Sequence, residues 1–179
     1  GGSSGAPAGP AARRRAGLRL RPSPDQPEQN EDGSFNLVAN GEICNHAEVR
    51  TALERRGGHT FRTDHSDTAM LVHAFEEWGI DCLHRMRGMF AFALWDSRSR
   101  ELWLVRDRVG IKPLYYTVHH ERLVFASEIK ALLLDPQQDR VVDEESLNHY
   151  LSFLVFPAPR TPFRGIRKPQ AVCWAQFSA

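Results

Sequence analysis

Cysteine is scarce: the 179 residues hold three, Cys44, Cys82 and Cys173. They are odd in number and widely spaced, which argues against a disulfide framework or a CxxC metal site and leaves free thiols in a reducing compartment as the expectation. No run approaches the ~18 apolar residues of a membrane span. Neither G-x-x-x-x-G-K-[ST] nor G-x-G-x-x-G occurs, so the common nucleotide-binding fingerprints are missing. Acid is missing from residues 1–22, although Arg13, Arg14, Arg15, Arg19 and Arg21 lie there. No aromatic residue is interleaved with those arginines, and the Gly/Ser/Ala/Pro composition around them cannot bury a core. Residues 1–24 therefore read as a basic, disordered, low-complexity leader rather than a nucleic-acid arm. An organelle transit peptide fits such a start too, but no apolar h-region follows. The expectation is a cytoplasmic protein with neither nucleic acid nor membrane as partner.

What is present suffices for one domain. The chain is 41% hydrophobic and 25% charged, enough for a single substantial core. A strand is predicted over Phe35–Ala39, stopping at Asn40-Gly41-Glu42. Such an edge delivers a side-chain amide, a flexible backbone amide and a carboxylate to one point, a polar site for something small. Asn45-His46-Ala47-Glu48 suits a capping box, with Val49 and Leu53 at helical spacing and a stop at Gly57-Gly58. A second helix is predicted from Ser66, with Met70, Leu71, Ala74, Phe75 and Trp78 as its apolar face and Gly79 as its stop.

From Gly88 the pattern changes. Met89 to Trp95 is apolar on both alternating faces, the mark of a strand covered on both sides. Asp96–Arg100 reads as a turn and Leu102–Val105 as its partner strand. Leu114–Tyr116 and Arg122–Phe125 read as two more strands joined around His119-His120. Helices are predicted over Glu128–Leu134, ended by Pro136, and Asp143–Phe153, ended by Pro157. Hairpins flanked by helices imply an α+β fold, a sandwich of two mostly antiparallel sheets between helical layers.

Five motifs then occur in order: Asn40-Gly41-Glu42-Ile43-Cys44-Asn45, Ser66-Asp67-Thr68, Arg87 to Asp96, Arg106 to Tyr116, and Phe125 to Leu132. Together they resemble the glutaminase domain of glutamine-hydrolysing asparagine synthetases, a class II glutamine amidotransferase of the N-terminal nucleophile hydrolase type, over about residues 25–168. The resemblance implies a four-layer α/β/β/α sandwich, here incomplete at the N-terminus. It also implies hydrolysis of glutamine to glutamate and ammonia for ATP-dependent amidation of aspartate. In the family an N-terminal cysteine, activated by its own α-amine, attacks the side-chain amide.

Carried over by motif, Asn40 and Gly41 become the oxyanion hole, while Glu42 and Asp67 hold the α-ammonium of glutamine. Arg15 falls, by an ungapped count, where the family has its substrate-carboxylate arginine. Arg106 to Tyr116, despite its charge, is expected to be a structural turn and strand. Taken singly, Asn-Gly is the commoner signature of a turn and Ser66-Asp67-Thr68 that of a helix cap.

Several family features are missing from these residues. There is no Cys-Gly-Ile start, no Arg-Gly-Pro-Asp segment and no cysteine before Cys44. Cys44 stands where the family usually has tyrosine; an internal cysteine lacks a free α-amine, so it is read as a small, partly buried side chain, and Cys82 as a helix packing residue. After Lys168 a Leu-Pro-Pro-Gly-like turn is expected, and residues 169–179 read instead as a non-family tail. The Ser-Gly-Gly-x-Asp-Ser loop of the synthetase domain is not found. Such ends suit a frame slip or gene fragment, inactive by itself. The resemblance places no cofactor or metal in this domain, ATP and Mg2+ belonging to the synthetase domain. Glutamine and that domain are the implied partners, and open sheet edges leave dimerisation or instability as further outcomes. The alternatives are a non-catalytic glutamine-binding or scaffold remnant, or another class II amidotransferase.

Overall fold

A computed structural model describes residues 26–59, 61, 67–119, 121–171 and 173–178. The leader, Arg15 and Ser66 lie outside them. Eight strands are present: β1 (Glu28–Gln29), β2 (Phe35–Ile43), β3 (Gly88–Asp96), β4 (Glu101–Arg106), β5 (Tyr115–His119), β6 (Arg122–Ala126), β7 (Ile166–Arg167) and β8 (Trp174–Ser178). The helices are α1 (His46–Arg56), α2 (Asp67–Trp78), α3 (Ile129–Leu132) and α4 (Glu144–Phe153), with a 3-10 helix over Gly79–His84. All strand pairings are antiparallel, in a five-stranded sheet ordered β1-β2-β3-β4-β8 and a three-stranded sheet ordered β6-β5-β7.

Two cores separate three of the layers. Odd-numbered β2 residues Phe35, Leu37 and Ile43 and even-numbered β3 residues Phe90, Phe92 and Leu94 face α1 and α2, where they meet Val49, Leu53, Met70, Leu71 and Phe75. The opposite face of β3, Ala91 and Ala93, joins Leu102, Leu104, Leu114 and Leu123 between the two sheets. Small alanines there let the sheets approach, while phenylalanines fill the wider gap under the helices. The burial of β3 on both faces follows its apolar run. Beyond the smaller sheet, α3 packs on β5 and β6 and its Leu132 is buried, completing the α/β/β/α order. By contrast, α4 leaves Leu151 and Phe153 exposed, and Leu154 just after it is exposed too.

Three local expectations are corrected. Strand β2 does not stop at Asn40: it runs in unbroken register with β3 from Phe35↔Asp96 to Ile43↔Gly88. The capping box does not form, because no side-chain hydrogen bond caps α1. Asn45 instead donates to Arg85 O (2.9 Å) and accepts from Arg87 N–H (2.7 Å), satisfying two main-chain groups where the 3-10 helix turns into β3. Glu48 is then drawn to the Arg87 guanidinium at 2.7 Å. Cys44 is exposed rather than partly buried, since it follows the last strand residue into a turn, whereas Cys82 is buried as expected. Burial, with Asp81 adding to it, pushes the Cys82 thiol up to about 12, which makes it inert. Three strands appear where no element was predicted, the two-residue β1 and β7 and the longer β8, which lies antiparallel to β4 from Val105↔Trp174 to Glu101↔Ser178.

The link from β4 to β5 is built on Asp107, 1% exposed. Its carboxylate accepts N–H bonds from Val109, Gly110 and Ile111 on one oxygen (2.7–3.0 Å) and from Lys112 on the other (3.0 Å). Arg106 binds the carbonyls of Lys112, Gly110 and Pro169. This segment is therefore a structural turn. Burial pushes the Asp107 carboxyl up, but the four N–H donors outweigh it and hold the carboxyl below its ordinary value. With the folded value depressed, its stabilisation is complete above the unfolded carboxylate value and fades as pH falls through the folded one. Asp107→Ala is expected to cost about 3 kcal/mol at neutral pH. Urea unfolding at descending pH should show the gap between variant and wild type narrowing below about pH 4.

Candidate functional site

Two residues apart on one strand, Asn40 and Glu42 share a face about 6.6 Å apart. That face is opposite to Leu37 and Ile43, and both side chains are exposed. Gly41 lies between them with φ +133°, a value L side chains rarely adopt. A Cβ there would collide with the Met89 carbonyl and the Phe90 Cα, so β2 and β3 approach more closely at this point than any side chain allows. Gly88 makes the reciprocal approach, its absent Cβ facing the Glu42 carbonyl.

The outer edge of β2 is only partly covered. Leu37 pairs with Glu28 of the two-residue β1. Further along, Ala39 O accepts the Gln26 side chain at 2.9 Å, and Ile43 N–H donates to Asp67 Oδ2 at 3.2 Å. Main-chain groups of alternate residues point to the same edge, so the N–H and C=O of Gly41 face outward between these two contacts. Among the described residues nothing pairs with them.

Asp67 arrives from the opposite layer as the first residue of α2, where a carboxylate suits the positive end of the helix dipole. Its bond to Ile43 N–H fixes the helix start against the strand end. Ala39, Asn40, Gly41, Glu42, Ile43, Asp67, Thr68, Leu71 and Phe90 surround one small hollow of about 10 Å3, room for a single water-sized group. The structure thus brings together Asn40, Gly41, Glu42 and Asp67 out of the five residues singled out from sequence. Arg15, the fifth, lies outside the described residues.

Gln26, Thr68, Leu71 and Phe90 were not foreseen at this place. Leu71 and Phe90 carry only a core signal in sequence, and Gln26 reaches Ala39 through tertiary contact alone. A wider cleft of about 410 Å3, lined by Trp78, His84, Arg85, Arg87 and Arg108 among others, shares no residue with this hollow. Its cations are engaged: Arg87 pairs with Glu48, Arg108 donates to His84 O, and Arg85 lies over the Trp78 ring.

Two carboxylates, an outward N–H and a side-chain amide around one strand edge can hold a cationic head and donate hydrogen bonds to a developing oxyanion. Comparison with known proteins bears on that chemistry. The family described as "Glutamine amidotransferase domain" matches residues 5–179. "Asparagine synthetase [glutamine-hydrolyzing] 1" of Bacillus subtilis is 41% identical over 143 residues, covering 80% of this chain and 22% of that protein. "Asparagine synthetase [glutamine-hydrolyzing] 2" of the same organism is 46% identical over 115 residues, covering 64% of this chain and 15% of that protein. Among solved structures, the glutamine phosphoribosylpyrophosphate amidotransferase of B. subtilis superposes with a TM-score of 0.51 at 24% identity. That match covers 65% of this chain and 28% of the other, and shows the shared fold. This chain spans less than a quarter of the length of the two synthetases.

Replacing Gly41 by Ala should destabilise the protein by about 2 kcal/mol or more, since the backbone of β3 must retreat. Gly33→Ala, at φ +70° with nothing within 4 Å of the new Cβ, is the control and should cost about 1 kcal/mol. Chemical denaturation of both variants measures the difference.

Proposed function

The chain belongs to the family of glutamine amidotransferase domains, and from that premise we propose that its site on β2 binds glutamine and shapes the release of ammonia from it. The observation that carries this reading is the convergence of Asn40, Gly41, Glu42 and Asp67 on one hollow at an open strand edge. An ammonium head is water-sized, so the hollow suits the α-amine of an amino acid held by Asp67 and Glu42. The rest of the substrate lies along the exposed face. There Asn40 Nδ2 and Gly41 N–H donate to the oxygen of the side-chain amide as it becomes an oxyanion. Both donors sit on a strand paired along its whole length, so little reorganisation is needed as charge develops.

The attacking group is a thiolate, and in the family's arrangement it belongs to an N-terminal cysteine activated by its own amine. No cysteine precedes Cys44 in these 179 residues. A polypeptide of this sequence and no more is therefore expected to bind glutamine without hydrolysing it, a binding role that is the second reading of the fold. We take aspartate as the acceptor of the ammonia, a reading supported by the likeness to the two glutamine-hydrolysing asparagine synthetases at 41% and 46% identity. ATP and Mg2+ belong to that amidation step, in a separate synthetase domain, and none of the residues here is assigned to them. The exposed apolar residues at the end of α4 and just after it, Leu151, Phe153 and Leu154, are where such a domain would dock. Among the described residues no helix is long and apolar enough to cross a membrane, and we place the activity in the cytoplasm.

Titration of L-glutamine against the 15N-labelled protein tests the reading. Shifts at Gly41, Glu42 and Ile43 are expected, and Asn40→Ala and Asp67→Asn should each weaken binding about tenfold. L-Asparagine, one methylene shorter, should bind less well. Glutamate release should not exceed background. Unshifted Gly41 and Glu42 would sink the binding site, and a robust rate abolished by Cys44→Ala would sink the assignment of the nucleophile.

A further inference from the structure

Away from the glutamine site, His59, His73 and Glu76 each bring one ligand-type atom to within 4.8 Å of the others. His73 and Glu76 stand three residues apart on α2 and so share a helix face, while His59 comes from the segment after α1. The imidazoles are 6% and 5% exposed. Both ring nitrogens of His59 and Nδ1 of His73 are buried without a hydrogen-bond partner. Buried polar atoms are normally satisfied, so three orphans in one place call for a ligand.

The geometry around them is ordered in two shells. Glu76 Oε2 lies 3.5 Å from His73 Nδ1 and 3.9 Å from His59 Nδ1. Neighbouring donors around a tetrahedral zinc, with bonds of about 2.0–2.1 Å, are separated by about 3.3 Å, so small side-chain adjustments close the set. The other Glu76 oxygen accepts Asn30 Nδ2 at 3.1 Å, which aims Oε2 at the histidines. Buried Asn30 is itself fixed by Phe35 N–H and Ser34 Oγ, both at 3.0 Å. On the far side of each ring stands a second carboxylate, Glu77 Oε2 3.5 Å from His59 Nε2 and Glu31 Oε1 3.9 Å from His73 Nε2. Neither carboxylate is hydrogen-bonded to its ring at these distances, but each stands on the side from which a carboxylate takes the N–H of a metal-ligating histidine and frees the other nitrogen.

We propose that His59 Nδ1, His73 Nδ1 and Glu76 Oε2 bind a divalent cation of the zinc class, with a fourth position left for water. Two imidazoles and one carboxylate favour Zn2+, Co2+ or Ni2+ over Mg2+ or Ca2+, which take oxygen donors. The site departs from the metal-free domain expected from sequence. It ties His59 to α2, the helix whose first residue, Asp67, reaches the strand edge, so metal stiffens the layer that carries half of the glutamine site.

Calorimetric titration of Zn2+ into the chelator-treated protein should give one equivalent bound, unaffected by excess Mg2+. His59→Gln and Glu76→Gln should each lower affinity at least about tenfold, and Glu77→Gln should lower it by a similar factor. His119→Gln, at a different cluster, should leave it unchanged. In 15N-imidazole spectra of the wild type, Zn2+ should shift Nδ1 of His59 and His73 and leave Nε2 protonated, a result that does not depend on the variants folding. Equal affinity in wild type and the His59 and Glu76 variants, or spectra showing no Nδ1 coordination, would overturn the site.

Discussion

The pairing of β2 with β3 is the constraint on which the rest of the fold depends. Nine residues lie in one unbroken register, and a slip by one would exchange the faces of every side chain. Phe35, Leu37 and Ile43 would leave the helical core, and Asn40 and Glu42 would enter it. The register is pinned at one end by the two glycines, 41 and 88, which let the backbones touch only when each lies opposite the other strand's carbonyl group. The same glycine that locks the register turns its N–H toward the open edge. Fold specificity and the polar site therefore rest on one close approach.

Helix α2 connects this strand to the two polar assemblies of the α layer. At its first residue Asp67 takes the last strand N–H of β2, and about two turns on His73 and Glu76 meet His59. Between these contacts Met70, Leu71 and Phe75 fill the core against β2 and β3. A rotation of α2 about its axis would break polar contacts at both places together, so the polar groups specify an orientation that the apolar stripe alone would leave loose. On the other side of the sandwich, Asp107 has the matching task of holding the crossover from β4 to the smaller sheet.

Sequence periodicity reached the elements whose cause is local. The doubly apolar run Met89–Trp95 and the face of α2 are visible because burial on two sides, or on one helical stripe, leaves its own spacing. Strands β5 and β6 were likewise readable from short alternating runs. Residues Asn40, Gly41, Glu42 and Asp67 could be grouped by family resemblance although 24 positions separate the Asp67–Ile43 contact. What stayed hidden depends on distant chain. Asn45 looks like a cap until Arg85 and Arg87 supply competing main-chain partners. Strands β1 and β7, two residues each, have no period to detect. His59 lies fourteen positions before His73, a spacing that matches no metal motif and acquires meaning only when α1 and α2 pack.

Strand β8 carries a consequence for the order of assembly. It pairs with β4, yet the whole smaller sheet, α3 and α4 lie between Arg106 and Trp174 in the chain. Strands β3 and β4, by contrast, are joined by a tight turn and pair over a short loop. Closing the long loop carries the larger entropy cost, which places the β4 and β8 pairing late in folding. On the ribosome, β4 therefore presents a bare row of N–H and C=O groups until residues 174–178 have emerged. During that interval its edge is open to capture by another chain.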